Sequence, residues 1–233
     1  MINEAIILAG GFGTRLTNVT DVPKPMAPIN EIPFLEYLLN YLSSYKITRV
    51  HLAVGYKHEV IQAYFGNQFK NCQLNYVVED TPLGTGGAIQ KALADVKSEE
   101  VLVLNGDTFF QVDFNQMEIF HHTYNSDVTI ALKPMKDFDR YGTVVYDDNF
   151  RITSFAEKQF CSEGAINGGI YLLKTTIFNG IEFPENFSIE QDFFENAYTA
   201  KKLMGFISEG YFIDIGIPTD YAKAQVELPS LLP

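Results

Sequence analysis

A glycine-rich run with a single arginine, LAGGFGTRL at residues 8–16, is the first stretch whose residue types could bind a ligand. Glycine permits sharp turns and lets backbone N–H groups approach a ligand closely, and N–H groups in a concave turn attract anions such as phosphate. Leu16 stands where the dinucleotide-binding fingerprint has its third glycine, and no GK[ST] sequence follows as in a Walker loop. The run therefore predicts a phosphate-binding loop of another kind, and the alternative is a plain turn with Arg15 exposed.

The next candidate is a lysine held between two prolines. Pro23 and Pro25 restrict the backbone around Lys24 to a stiff, extended conformation. A preorganised lysine loses less entropy when it binds a phosphate group. The pattern predicts a second phosphate-binding side chain, and a solvated lysine in a proline loop is an equally good interpretation.

Two aspartates follow apolar, strand-like segments that are far apart in the chain. Asp107 comes directly after VLVLNG, and Asp214 lies between Ile213 and Ile215. An unpaired carboxylate at such a place is costly unless it is solvated or bound to a metal ion. Two carboxylates at strand ends could share one Mg²⁺ together with the phosphates of a substrate. The alternative for either residue alone is a helix N-cap or a loop acid.

A second glycine-rich stretch, TPLGTGGA at residues 81–88, follows one strand-like segment and opens a helical one. Its glycines would allow backbone groups to contact the edge of a flat ring, and Leu83 could cover the face of that ring. The stretch predicts a pocket for a nucleotide base. A turn with a helix N-cap is the alternative.

Two short motifs in the second half of the chain complete the set of candidates. FAEKQ contains Glu157 and Lys158, and INGGIY contains Asn167, Gly168 and Gly169. Their side chains could bind the hydroxyl and phosphate groups of a substrate. An exposed ion pair, which stabilises little, is the alternative for the first motif. A bulge that interrupts a strand is the alternative for the second.

Strand-like and helix-like segments alternate through the first half of the chain. The predicted strands are Glu4–Ala9, Arg49–Val54, 74–78 and 101–105, and the predicted helices are 33–45, 57–65 and 86–96. This alternation indicates βαβ units and a mostly parallel sheet. Ligands of such sheets bind outside the carboxyl ends of the strands. The first glycine run, the loop after Val78 and the turn at Asp107 all fall at that edge.

The pattern changes after Asp127. Four strand-like segments separated by turn residues predict a smaller, more antiparallel lobe. An amphipathic helix is predicted over 190–200, a strand over 210–216, and a last helix beginning at Pro218. We therefore expect one domain over 1–233, with one lobe of about 1–126 and a second of about 127–233.

Composition narrows the class of protein. The 233 residues carry a formal net charge of -12, which argues against nucleic acid as the main partner, because binding to a phosphate backbone needs clustered Lys and Arg. An acidic protein that binds a nucleotide is expected to recruit a divalent cation. The two cysteines have no spacing typical of a disulfide framework or a zinc site. No segment is long enough to span a membrane, so we expect a cytoplasmic enzyme without a membrane partner.

In this order and together, these motifs resemble the sugar-1-phosphate nucleotidylyltransferases. LAGGFGTRL with Lys24 in PKP is similar to the signature of that family, and LGTGGA, NGD, EK, NGGIY and DIG with the following P and DY are similar to its later motifs. The resemblance covers nearly the whole chain. It implies an α/β, Rossmann-like three-layer fold with a mainly parallel central sheet and a smaller, more antiparallel lobe for the sugar phosphate. Within the family the motifs look like those of a guanylyltransferase, which favours GTP.

The resemblance implies that a sugar 1-phosphate attacks the α-phosphorus of a nucleoside triphosphate and releases pyrophosphate. It assigns Arg15, Lys24 and Lys158 to the reacting phosphates and Asp107 and Asp214 to Mg²⁺. The implied nucleotide-binding residues are Leu8, Ala9, Gly10, Gly11, Gly13, Thr14, Glu79, Leu83, Gly84, Thr85, Asn105 and Gly106. The implied sugar-phosphate-binding residues are Gly142, Glu157, Lys158, Asn167 and Gly168.

Two departures from the family pattern and several alternatives stay open. Gln159 stands where the family usually has proline after Glu-Lys, which affects the geometry expected of Lys158. The hexapeptide repeats of larger relatives are missing, so no second acyltransferase or regulatory domain is expected. The alternatives are another sugar 1-phosphate or base, a metal-dependent glycosyltransferase, and a non-catalytic nucleotide-binding subunit. Monomer and homodimer fit the sequence equally.

Overall fold

A central sheet of parallel strands forms the middle layer of the protein, whose computed structural model describes residues 2–11 and 22–231. In these ranges the strands are β1 (Glu4–Ala9), β2 (Pro28–Ile29), β3 (Ile32–Pro33), β4 (Arg49–Val54), β5 (Gln68–Phe69), β6 (Cys72–Val78), β7 (Glu100–Asn105), β8 (Thr108–Phe110), β9 (Val128–Phe138), β10 (Thr143–Tyr146), β11 (Ile152–Ala156), β12 (Cys161–Lys174), β13 (Leu203–Ile207) and β14 (Phe212–Asp214). The α-helices there are α1 (Phe34–Ser44), α2 (His58–Phe65), α3 (Gly84–Leu93), α4 (Phe114–Thr123), α5 (Glu195–Ala197) and α6 (Pro218–Glu227).

The parallel part of the sheet has the order β7-β1-β4-β6, with β1 at its centre. Successive residues of β1 point to opposite faces, as they must in a strand. Ile7 belongs to the apolar cluster on one face, together with Leu35 of α1 and Ile61 of α2. Ile6 belongs to the cluster on the other face, together with Ile89 of α3. The predicted three-layer α/β fold is confirmed.

The second part of the sheet is built on β12. Near its end β12 pairs antiparallel with β7, and along most of its length it pairs antiparallel with β9. The register with β9 shifts between Asn167 and Tyr171, and Gly169 within this interval has a φ of 72°. Such irregularities bend a strand and redirect its side chains. The INGGIY motif therefore lies at a strand irregularity, as its alternative interpretation predicts, and its role in binding a substrate stays a prediction.

The helix predicted over 190–200 differs most from the structure. A π-helix spans Ile189–Phe194, and α5 adds only three residues. The buried residues Ile189, Phe193 and Phe194 are spaced four and five apart, which matches the wider i→i+5 turn of a π-helix. The backbone N–H of Glu195 donates to the carbonyl of Glu190, five residues earlier. The apolar spacing predicted a helix correctly but not its type or its length.

The strand predicted over 210–216 is shorter than expected, and its pairing places Asp214 near Asp107. Only Phe212–Asp214 is extended, and it pairs with β8 in a separate two-stranded sheet. In this pairing Asp214 lies opposite Thr108, the neighbour of Asp107. The short pair therefore brings together two acidic residues that are more than a hundred positions apart. Helix α6 begins at Pro218 as predicted.

None of the helices in the described ranges is long and apolar enough to cross a membrane.

Candidate active site

Two cavities meet at the carboxyl edge of the parallel strands. The first has a volume of about 280 Å³ and the second about 460 Å³. Asn105 and Asp107, at the end of β7, line both. One cavity on each side of a shared acidic residue can hold two substrates with their reacting groups in contact.

The first cavity contains most of the residues that the sequence assigns to a nucleotide. Its lining includes Leu8, Gly10, Gly11, Lys24, Glu79, Gly84, Thr85, Asn105, Gly106 and Asp107. Ala9 and Leu83 are buried beside this cavity and do not line it. Gly13, Thr14 and Arg15 lie outside the described residues. The cover over a base that is expected of Leu83 stays a prediction.

The β6–α3 loop and the first turn of α3 are held in place by residues 187–189, which lie about a hundred positions later in the chain. The backbone N–H of Gly86 donates to the carbonyl of Phe187 at 2.9 Å, and the N–H of Phe187 donates to the carbonyl of Leu83 at 3.0 Å. The hydroxyl of Thr85 accepts from the N–H of Ile189 at 2.9 Å. This side of the first cavity is therefore fixed by residues 187–189, which lead into the π-helix.

Replacing Gly86 with Ala tests how closely the Phe187 ring packs against the first turn of α3. A Cβ at Gly86 would lie 2.2 Å from a ring carbon of Phe187, and this buried ring stacks on Phe183 with centroids 4.2 Å apart. Alanine inside a helix normally stabilises it, but overpacking here should lower the free energy of unfolding by about 1–3 kcal/mol. Denaturant unfolding measures the effect. Gly11→Ala is the control, because a Cβ there meets nothing within 4 Å among residues 2–11 and 22–231. Equal stability of Gly86→Ala and the unmodified protein would contradict the packing argument.

A lysine and two aspartates form the charged centre between the cavities. Lys24 Nζ lies 2.5 Å from Asp107 Oδ2 and 3.8 Å from Asp214 Oδ1. Burial and the charge of Asp107 raise the pKa of Asp214, and the charge of Lys24 partly offsets that rise. The hydroxyl of Thr108 donates to Asp107 Oδ1, and the N–H of Gly216 donates to Asp214 Oδ1. Both carboxylates are thus oriented toward one cation.

The two carboxylates also fit a divalent metal ion. They supply the oxygen ligands that Mg²⁺ prefers, and Lys24 shows that a cation can contact both at once. Within residues 2–11 and 22–231 no group of three or more acidic, His or Cys side chains could hold a metal ion. A metal ion at Asp107 and Asp214 would therefore need further ligands from substrate phosphates or water, as is usual for Mg²⁺.

The second cavity contains the residues that the sequence assigns to a sugar phosphate. Gly142, Glu157, Lys158, Asn167 and Gly168 line it, and so does Asp214. In the described part of the chain Glu157 and Lys158 form no ion pair with each other, so the alternative of an exposed ion pair is not observed. Lys158 lines this cavity.

Several residues of the second cavity were missed by sequence reasoning. Arg140 and Glu190 line it. Arg140 Nη1 donates to Asp220 Oδ2, and its guanidinium lies 5.3 Å from the centre of the Tyr141 ring. No spacing in the sequence connects Arg140 to Asp220. Glu190 lies in the segment predicted as an amphipathic helix, whose polar residues are expected to face solvent. No local sequence feature distinguishes Glu190 from the other polar residues of that segment.

Comparison with known proteins identifies the family. The model of the Nucleotidyl transferase family matches residues 4–230. The chain belongs to this family. Its close homologues are sugar-1-phosphate nucleotidyltransferases, and nucleotidyltransferases of this family typically use a divalent metal ion.

Individual nucleotidyl transferases match over almost the full chain. The D-glycero-alpha-D-manno-heptose 1-phosphate guanylyltransferase of Aneurinibacillus thermoaerophilus is 53% identical, covering 97% of this chain and 98% of the relative. The enzyme of the same name from Campylobacter jejuni is 50% identical, covering 94% and 96%. The structure of HddC from Yersinia pseudotuberculosis complexed with GMP-PN has a TM-score of 0.86 and 35% identity, covering 97% of this chain and 100% of that one.

Proposed function

We propose that this protein transfers a guanylyl group from GTP to D-glycero-α-D-manno-heptose 1-phosphate, giving GDP-heptose and pyrophosphate. The observation that carries the proposal is the identity of 53% and 50%, over almost the full length, with two guanylyltransferases for that sugar phosphate. The two cavities that meet at Asp107 fit a reaction between two phosphorylated substrates. Since GTP is a cytoplasmic metabolite, we expect the enzyme in the cytoplasm.

The chemistry needs alignment and charge neutralisation rather than a base. The nucleophile is a phosphate oxygen of the sugar 1-phosphate, which is already an anion, so no side chain has to remove a proton. It attacks the α-phosphorus of GTP, a new P–O bond forms, and the bond to the β,γ-pyrophosphate breaks. Cations and backbone N–H groups that are already oriented stabilise the charge of the transition state.

Lys24 is assigned to the charge on the reacting phosphates, because it lines the first cavity and is held beside Asp107. Gly10 and Gly11 are assigned to the triphosphate, as their backbones line the same cavity. Arg15 is assigned to the departing pyrophosphate on the strength of the family signature. The remaining nucleotide-binding assignments are Leu8, Ala9, Gly13, Thr14, Glu79, Leu83, Gly84, Thr85, Asn105 and Gly106.

Asp107 and Asp214 are assigned to Mg²⁺. When bound, Mg²⁺ would offset the repulsion between two polyanionic substrates and orient the α-phosphate. The two carboxylates already face one cation, which supports this assignment.

The sugar phosphate is assigned to the second cavity. Lys158 would bind its phosphate group, and the carboxylate of Glu157 and the Oδ1 of Asn167 would accept hydrogen bonds from its hydroxyls. Gly142 and Gly168 would let the sugar approach the backbone. Gly142 directly precedes β10, Glu157 and Lys158 directly follow β11, and Asn167 and Gly168 lie in β12. The antiparallel part of the sheet therefore forms the wall of this cavity.

Pyrophosphate release tests the proposal. GTP, ATP, CTP, UTP and dTTP are assayed with Mg²⁺ against heptose, mannose, glucosamine and glucose 1-phosphates. Turnover confined to GTP with the manno-heptose phosphate is the expected result. Turnover with another pair would keep the chemistry and replace the substrates. Folded protein that binds nucleotide but turns over none of the pairs would indicate a non-catalytic subunit.

A further inference from the structure

Glu190 is a carboxylate at the second cavity for which the reaction outlined above has no use. It is the second residue of the π-helix, and its side chain lines the cavity beside Asn167. Glu190 Oε1 accepts hydrogen bonds from Asn167 Nδ2 at 2.9 Å and from the hydroxyl of Tyr171 at 3.0 Å. In the described part of the chain, Oε2 accepts none. One oxygen therefore contacts protein, and the other is available to a ligand.

The bonds to Oε1 fix the direction of the Asn167 amide. Asn167 Nδ2 also lies 3.0 Å from the Tyr171 hydroxyl, and Asn167 Oδ1 accepts from the N–H of Gly169 at 2.9 Å. A carboxylate can only accept hydrogen bonds, so the NH₂ side of Asn167 must face Glu190. An ionised Glu190 therefore fixes the orientation of the Asn167 amide, with Nδ2 toward Glu190 and Oδ1 toward the N–H of Gly169.

The position of Glu190 is itself held from two sides. Ser188 caps the π-helix, and its hydroxyl accepts from the N–H of Glu190 and of Gln191, both at 3.2 Å. The preceding N–H of Ile189 donates to the hydroxyl of Thr85, in the first turn of α3 beside the first cavity. π-Helical turns are frequent at functional sites. The segment places an acid at the second cavity while it supports the wall of the first.

The surroundings of Glu190 determine which ligand it can take. Burial raises the pKa of Glu190, the positive charge of Lys158 lowers it, and Glu195 and Asp107 are the nearby like charges. The carboxylate itself repels a phosphate group, whereas it accepts hydrogen bonds from hydroxyl donors. A sugar hydroxyl could donate a hydrogen bond to Oε2 without displacing the bonds that Asn167 and Tyr171 make to Oε1.

We propose that Glu190 is a sugar-binding and specificity-determining residue, which accepts a hydrogen bond from a hydroxyl of the sugar 1-phosphate through Oε2 and orients Asn167 through Oε1. This rests on the proposed function of the second cavity. Tyr171 is a positioning residue in this arrangement, because it contacts Oε1 but does not line the cavity.

Glu190→Gln and Tyr171→Phe test the proposal, with Glu182→Gln as the matched control at an exposed acid outside both cavities. Loss of a hydrogen bond to a charged group predicts a rise of about 10–100-fold in the KM for the sugar 1-phosphate in Glu190→Gln. The KM for GTP should change less than about twofold, and Glu182→Gln should match the unmodified enzyme. Tyr171→Phe should raise the KM for the sugar phosphate by about 3–10-fold. It also serves if Glu190→Gln does not fold.

Deoxy analogues of the sugar 1-phosphate distinguish a direct contact between Glu190 and the sugar from a merely structural role of Glu190. The analogue that lacks the hydroxyl bound by Glu190 should be a poor substrate for the unmodified enzyme but no worse than the parent sugar for Glu190→Gln. Equal discrimination among all analogues by both enzymes, or a parallel rise in both KM values, would overturn the proposal. Calorimetric titration with the sugar 1-phosphate makes the same comparison without turnover. Loss of sugar 1-phosphate binding in Glu190→Gln but not in Glu182→Gln supports the proposal even if the catalytic assignment fails. Unchanged binding in Glu190→Gln refutes it.

Discussion

Asp107→Asn should lower kcat for nucleotidyl transfer by about 10²–10³-fold. Asp107 lines both cavities and contacts Lys24, so its charge lies where we expect the two substrates to meet. The amide keeps the size of the side chain but removes the negative charge that we assign to Mg²⁺ binding. Steady-state rates at saturating GTP and sugar 1-phosphate, measured over a range of Mg²⁺ concentrations, give the result.

The fold should survive this substitution. The backbone of Asp107 accepts from the N–H of Ile215, and the preceding Gly106 donates to the carbonyl of Leu8, so the turn does not depend on the carboxylate. Asp148→Asn, at an exposed acid outside both cavities, is the control for a simple change in net charge. If Asp107→Asn were as active as this control, the assignment of Asp107 to the reacting centre would be wrong.

Higher Mg²⁺ should restore part of the lost rate in Asp107→Asn. Asp214 remains as a carboxylate, and Mg²⁺ can be held by a single carboxylate with substrate phosphates and water. The Mg²⁺ concentration at half-maximal rate should therefore rise. A kcat that is low but independent of Mg²⁺ would mean that Asp107 acts on the substrates in another way.

The parallel part of the fold could be predicted because each of its elements carries its own local signal. The strands that became β1 and β4 are short apolar runs with the observed bounds, and the helices beside them show a helical spacing of apolar residues. The rule that ligands bind at the carboxyl edge then located Gly10, Glu79 and Asp107 near one another. These predictions needed no knowledge of distant contacts.

Other features of the site depend on contacts between distant segments, which local sequence patterns do not show. The pairing of β14 with β8 brings Asp214 to Asp107, yet neither strand is long enough to show its register. Leu83 is apolar and lies in the right loop, but it is buried because residues 185–187 pack over that loop. The role that we give to Glu190 follows from its bond to Asn167, 23 residues away. Sequence patterns report local periodicity, and these three positions are set by tertiary packing.

Lys24→Met should have opposite effects on turnover and on metal binding. Lys24 neutralises the same two carboxylates that we assign to Mg²⁺. Removing the ammonium group makes the site more negative, so the protein without nucleotide should bind Mn²⁺ about tenfold more tightly. The same change removes a cation from the reacting phosphates, and kcat should fall by about 10²–10³-fold. Mn²⁺ titration and steady-state kinetics measure the two effects separately.

The split between these two effects distinguishes Lys24 from a merely structural lysine. Lys24→Arg keeps the positive charge, so its affinity for Mn²⁺ should stay near that of the unmodified protein. Its turnover should recover only in part, because a planar guanidinium does not replace a compact ammonium group. Lys136→Met, at a lysine whose side chain is 75% exposed, controls for the loss of one charge at the surface. Weaker Mn²⁺ binding by Lys24→Met would show that Lys24 holds the two aspartates in position, whereas tighter binding with slow turnover would show that it acts on the substrates.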